Sequence, residues 1–239
     1  MKKLQRRLTN PQTQKIMLFR TLPVEVWFFD SVRKTPPCGN TYRPHFVVKG
    51  TNDYLGIQFE YLEDVPFREH IAVRVQLTYE STGVDYSKLK PNVTFEIKEG
   101  GTIVGEGIVI GNKSAIVEYA QWEMECCGDP FEIGNIVEWQ IEKAGDLQIK
   151  NLFVNGLIDY CYSAHASIDD EVFILKAKIL DIHAVYYERE IKIINTQGVL
   201  FPISGKAFPV NKTEWNSNDV PDSWFINLDI INIKPYDEK

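Results

Sequence analysis

The sequence predicts a mainly β protein built as two tandem small β-barrel modules, and three observations predict it. Apolar and polar residues alternate with period two through most of the chain, the mark of half-buried strands. Turn-forming clusters separate these runs at intervals of roughly 8–12 residues, as barrels and sandwiches require. Helix signals are scarce, and no capped amphipathic run of about twelve residues stands out.

Taken in order, Ile57, Phe59 and Tyr61 alternate with Gln58 and Glu60. Ile71, Val73, Val75, Leu77 and Tyr79 point one way while Arg74, Gln76 and Thr78 point the other, and Val93-Phe95-Ile97 alternates with Thr94-Glu96-Lys98. Val137-Trp139-Ile141 repeats the pattern. Near the end Trp224, Ile226, Leu228 and Ile230 share a face, after which Ile231 and Ile233 change phase, which predicts a bulge. The region from Leu157 to Glu171 is the best helix candidate. Gly111-Asn112-Lys113-Ser114 reads as the turn between modules. The predicted organisation is a basic arm over 1–20, a first barrel over 21–112 and a second β-rich domain over 113–239.

Composition bounds the function. The 239 residues are 44% hydrophobic and 25% charged, ordinary for a globular chain. No apolar run approaches the ~18 residues of a membrane span. Ile16-Met17-Leu18-Phe19 follows basic residues but is too short for a signal-peptide core, which places the expected location in the cytoplasm. The N-x-S/T triplets at Asn92, Asn112 and Asn211 then read as chance matches. The four cysteines are expected as thiols in a reducing compartment. Lys2, Lys3, Arg6, Arg7, Lys15 and Arg20 give the first twenty residues six positive charges and no acid. Removing them from the net −7 leaves −13 on the remainder. An acidic body argues against phosphate-backbone binding and fits a basic partner.

The first module carries a specific pattern. Arg33-Lys34-Thr35-Pro36 is followed by Asn40-Thr41-Tyr42-Arg43-Pro44-His45-Phe46, by Lys90-Pro91, and by the run from Ile97 through Glu99-Gly100-Gly101-Thr102 to Gly105-Glu106-Gly107 and Val109. In order and spacing these residues resemble the C-terminal, third-domain barrel of translation elongation factor Tu, over about Val24 to Gly111. The resemblance implies a closed barrel, which in that family helps hold aminoacyl-tRNA and packs against a GTPase domain. Here Thr102 stands where the family has Arg, and Glu106 where it has a small residue. No phosphate loop of the form G-x-x-x-x-G-K-[ST] occurs, so GTP is not an expected ligand. Independently of any family, Glu-Gly-Gly supplies the positive φ angles of a tight hairpin, and Gly105 and Gly107 fall on one face where backbones approach closely.

In the second module, Trp122-Glu123-Met124-Glu125-Cys126-Cys127-Gly128-Asp129-Pro130-Phe131 resembles an uncharacterised bacterial family with a W-x-M-x-C-C-G-x-P-F segment, over roughly Ile116 to Pro235. Cys126, Cys127, Cys161 and His165 form a candidate metal set, with Cys161 and His165 spaced for one helical face. Against it, adjacent cysteines seldom ligate one zinc, and free cysteine is among the most buried residue types, so packed structural thiols are expected. A thiol nucleophile needs a base within reach, and His165 or His183 are candidates, with Asp169 or Asp170 to orient His165. The acidic neighbours Glu123, Glu125 and Asp129 would disfavour a thiolate. His183 on an apolar strand reads as a core histidine. Trp122, Trp139, Trp215, Trp224 and the Tyr186-Tyr187 pair lack the interleaved Lys and Arg of a base-stacking platform and read as core.

The sequence therefore predicts a non-catalytic, immunity- or adaptor-type binding protein without a cofactor. Its expected partner is a protein with a basic contact face, and the candidate contact residues are Arg43, Glu99, Thr102, Glu106, Glu123, Glu125 and Asp129. The alternative is an RNA- or translation-associated binder, and the third reading a thiol- or metal-dependent enzyme. An acidic concave patch favours the first, a basic groove with stacked aromatics the second, and a pocket joining Cys126 or Cys127 to His165 the third.

Overall fold

The computed structural model describes residues 16–62, 65–145, 154–155, 158–165, 171–194, 197–214 and 220–236. The arm up to residue 15, Leu157, Asp169, Asp170 and Trp215 lie outside them. Two closed small β-barrels follow one another along the chain. The short strand β1 (Ile16–Met17) precedes the first barrel, made of β2 (Thr21–Phe28), β3 (His45–Val48), β4 (Leu55–Phe59), β5 (Ile71–Leu77), β6 (Thr94–Glu99) and β7 (Thr102–Val109). These close in the order β2-β5-β4-β3-β6-β7, with every pairing antiparallel.

Alternation builds this barrel. Val24, Val26 and Phe28 of β2, Val75 and Leu77 of β5 and Phe95 and Ile97 of β6 are buried in one core. Gly100, at φ +57°, and Gly101 turn β6 into β7. A Cβ on Gly105 or Gly107 would strike the Trp27 or Glu25 carbonyl oxygen, the latter at 2.6 Å, because β7 passes closely under β2 there.

The second barrel comprises β8 (Ala115–Ala120), β9 (Ile136–Lys143), β11 (Tyr160–Tyr162), β12 (Val172–Ile194) and β14 (Ser223–Pro235); the two-residue β10 (Val154–Asn155) only pairs with β1. β12 pairs with both β14 and β9, closing the ring β12-β14-β8-β11-β9. β13 (Gln197–Val210) pairs with β12 on its other side; β14 leaves β12 after Val185, and the strand pair runs on as a hairpin. On β14, Ile230 faces Ala177 and Asn232 faces Lys176, so Ile231 is the extra residue of a bulge. The phase change in the sequence marks that bulge. Trp224, Ile226 and Leu228 face the core, with Val117, Ile141 and Leu175.

One expectation needs correction. The segment expected as a helix contains strand β11 instead: Tyr160, Cys161 and Tyr162 pair with β9, and the first two also with β8. Those partners lie far away in sequence, and their pairing overrides the local pattern. The one α-helix among the described residues is α1 (Gln121–Cys127), which continues β8 and puts Met124 into the barrel core. It has no side-chain cap, so the sequence carried little signal for it.

The barrels meet through a polar junction. Thr21 N–H donates to Ser114 Oγ at 2.7 Å, and Ser114 N–H to the Thr21 carbonyl at 2.8 Å. Arg20, only 8% exposed, spans the two bodies. Its guanidinium meets Glu80 at 3.0 Å and holds Asp159 through two hydrogen bonds, Nε–H to Oδ2 at 2.8 Å and a shorter one to Oδ1. Leu18 is buried with Ile116, Ile158, Val185 and Phe225, a second cluster on the outer face of the second barrel. The end of the basic stretch is thus built into the junction.

Candidate functional site on the second barrel

The residues proposed for contact fall into two groups. On the first barrel, Glu99 accepts hydrogen bonds from Arg33 and, at 2.9 Å, from the Tyr42 hydroxyl, and Glu106 is paired with Lys49. Arg43 and Thr102 are exposed. On the second barrel Glu125 and Asp129 are exposed, but Glu123 is 2% exposed and turned inward. Burial holds its carboxyl above the usual carboxylate range, against the lowering influence of Ala164 N–H and His165. Glu123 is therefore no part of an acidic contact face. Its backbone and side chain organise the site instead. Its carbonyl accepts Gly128 N–H at 3.0 Å, ending α1, and its Oε2 accepts Ala164 N–H at 3.4 Å, beside His165.

Gly128 is required for its size. A Cβ there would fall on the Tyr119 hydroxyl and within 3.0 Å of Met124 Cα. Tyr119 is buried at the end of β8 and stacks on Tyr162 at 4.0 Å between centroids, while Trp139 and Phe131 pack edge-on at 5.0 Å. These four rings line a cleft of about 370 Å³ that also receives Asp129, Glu138 and Cys127. Among the described residues no Lys or Arg lines it; Lys176, opposite Glu138 on β12, does not.

The cysteines depart from expectation. Cys126 and Cys127 are exposed, not packed, as is Cys38. The helix ends between the cleft and solvent, leaving the two thiols at its last turn. His165 lies beside them: its Nε2 is 3.3 Å from Cys126 Sγ and 3.1 Å from Cys127 Sγ, and the sulfurs are 2.7 Å apart. The imidazole stacks on Trp122 with 20° between planes and centroids 6.0 Å apart. Trp122 is accordingly 55% exposed rather than core. Cys161, expected as a fourth ligand, is on β11 and outside this group; burial, with Glu118 and Glu142 adding, pushes its thiol up to about 12. The Cys127 thiol is pushed up to about 11, first by its hydrogen bond with Cys126, then by burial and the charges of Cys126 and Glu123. His183 is mostly buried, its Nδ1 3.3 Å from Asp181, and it is not part of this cluster.

Residues 113–228 match the model of a family of unknown function, DUF6578. The match covers the second barrel up to the middle of β14, and with it α1 and the segment that carries His165. No curated protein and no solved structure matches the chain. No helix among the described residues is long and apolar enough to cross a membrane.

What sequence reasoning missed here was Glu138, Trp139 and Tyr162 as parts of one cleft. Their separation along the chain leaves no local pattern, and only the strand pairing of β9 with β11 brings them together.

Proposed function

We propose that the second barrel is a binding module that takes a cationic group of a basic protein partner into its cleft. One observation carries this reading: two carboxylates, Asp129 and Glu138, stand among Tyr119, Phe131, Trp139 and Tyr162, with no lining cation among the described residues. Aromatic faces attract ammonium and guanidinium groups, and nearby carboxylates supply the countercharge. The acidic body of the chain would steer such a partner at long range.

The first barrel serves in this proposal as the companion body. Its kinship with the elongation factor Tu barrel is part of the proposal, supported by the glycine hairpin and the closed six-strand ring. A bacterial, cytoplasmic setting belongs to the same reading.

Calorimetric titration of the full chain with a lysine-rich peptide, and with the same peptide acetylated on its lysines, tests the function. Saturable binding of the charged peptide alone is expected. It should weaken as salt rises past the ~8 Å Debye length of physiological buffer, and weaken by about threefold or more in Asp129→Asn or Glu138→Gln. Equal binding of both peptides would reject the cationic ligand. Salt-sensitive binding of a single-stranded RNA in its place would support the nucleic-acid alternative.

A further inference from the structure

We infer that Cys126, Cys127 and His165 form a site for a soft or borderline divalent cation of the zinc type, with one coordination position left open beside the cleft. The inference does not rest on the cationic-ligand reading.

Convergence is the first ground. Two segments 38–39 residues apart bring three ligand atoms within 3.3 Å of one another. In the absence of a cation, Nε2 has one proton or one lone pair to share between two sulfurs, and the thiols complete the set by bonding to each other. A cation at the common focus satisfies all three donors at once. With Zn–S near 2.3 Å and Zn–N near 2.0 Å, tetrahedral geometry asks for S···S of about 3.8 Å and S···N of about 3.5 Å. The sulfur pair must open by about 1 Å, and both side chains are exposed at a helix end, where χ1 rotation is open to them.

Support around the ligands is the second ground. The Trp122 ring holds the imidazole plane. The segment carrying His165 is tied down by Ser163 N–H to the Gln140 carbonyl at 3.1 Å and by Ala164 N–H to the buried Glu123. α1, which carries the thiols, is anchored by Met124 in the core and by the tight fit of Gly128 against Tyr119. Both halves of the site thus depend on Glu123, which is the arrangement expected of a residue positioning metal ligands.

The donor set names the cation. Thiolate and imidazole select zinc and its softer neighbours, whereas magnesium and calcium require oxygen. Two thiolates and a neutral imidazole balance a divalent charge, so the occupied site adds no net charge beside the acidic cleft. Among the described residues no fourth Cys, His, Asp or Glu joins the group. Three protein ligands leave the fourth position for water or an incoming donor, and Cys127, which also lines the cleft, places that position at its mouth.

The test uses the full chain, reduced and loaded with Zn²⁺ or Co²⁺, then dialysed. About one metal per chain is expected, with Co²⁺ giving thiolate-to-metal charge-transfer absorption and the intense visible bands of a tetrahedral centre. Cys127→Ser and His165→Ala should each lower affinity at least tenfold while unfolding at the unliganded parent's temperature, and Cys161→Ser should bind as the parent does. Substoichiometric metal without the charge-transfer band would overturn the site. So would loss of binding in Cys161→Ser together with its retention in His165→Ala.

Discussion

Replacing Arg20 by Met removes the guanidinium that joins the two barrels and leaves the methylene stem largely in place. Asp159 then stays inside with one hydrogen bond, from the Ile116 N–H at 2.9 Å, and the charge of Lys113, which also pairs with Glu80 at 2.5 Å. Breaking a fully buried ion pair costs about 3–5 kcal/mol, chiefly because the surviving charge is stranded. The side chains of Asp159 and Glu80 are 24% and 14% exposed, so water recovers part of that and a loss of about 2–3 kcal/mol is expected. For a chain of this size that is roughly 5–10 °C in melting temperature. The pH dependence is the sharper check. Burial already holds the Asp159 carboxyl above its ordinary value despite Arg20. A raised folded-state value means that the native state binds the proton more tightly. Its stabilising contribution is therefore full below the unfolded carboxyl value, near 4, and is lost as pH rises through the folded one. Without Arg20 the folded value rises further, so the deficit of Arg20→Met should shrink from pH 8 toward pH 5. Thermal unfolding of parent and variant across that range measures it. A deficit below about 1 kcal/mol, or one that does not change with pH, would refute the argument that Arg20 compensates a buried carboxylate.

Gly107→Ala should destabilise the first barrel by about 1–3 kcal/mol, since the new methyl meets both the Glu25 carbonyl and the Phe95 ring; chemical denaturation reads the loss. Residues 21–112 expressed alone should give a dispersed amide spectrum, because all six strands of the closed ring lie between Thr21 and Val109; a collapsed spectrum would place the folding unit elsewhere.

The sequence and the structure agree where the determining interaction is local. The Gly100 turn needs a positive φ, and Ile230-Ile231 breaks a period-two pattern, so both are visible in a few residues. They part where the partner is remote. Tyr160-Cys161-Tyr162 has no strand signature of its own and becomes one through β8 and β9. The i, i+4 spacing of Cys161 and His165 suggested a helical face, yet His165 meets Cys126 and Cys127 and leaves Cys161 in the wall. Glu123 carries the same lesson in charge. Counted along the chain it is one more acid, and only its burial shows it working inside the site.

β14 pairs with β8, the first strand of the second barrel, and with β12, its longest. On a ribosome the first barrel can therefore close while synthesis continues, whereas β8 must wait for more than a hundred further residues to emerge. Through that interval the edges of β8 and β12 that β14 will cover remain open to pairing with other chains. A chain cut short before Ser223 would keep them open permanently, which makes the last strand the seal of the second barrel during biosynthesis.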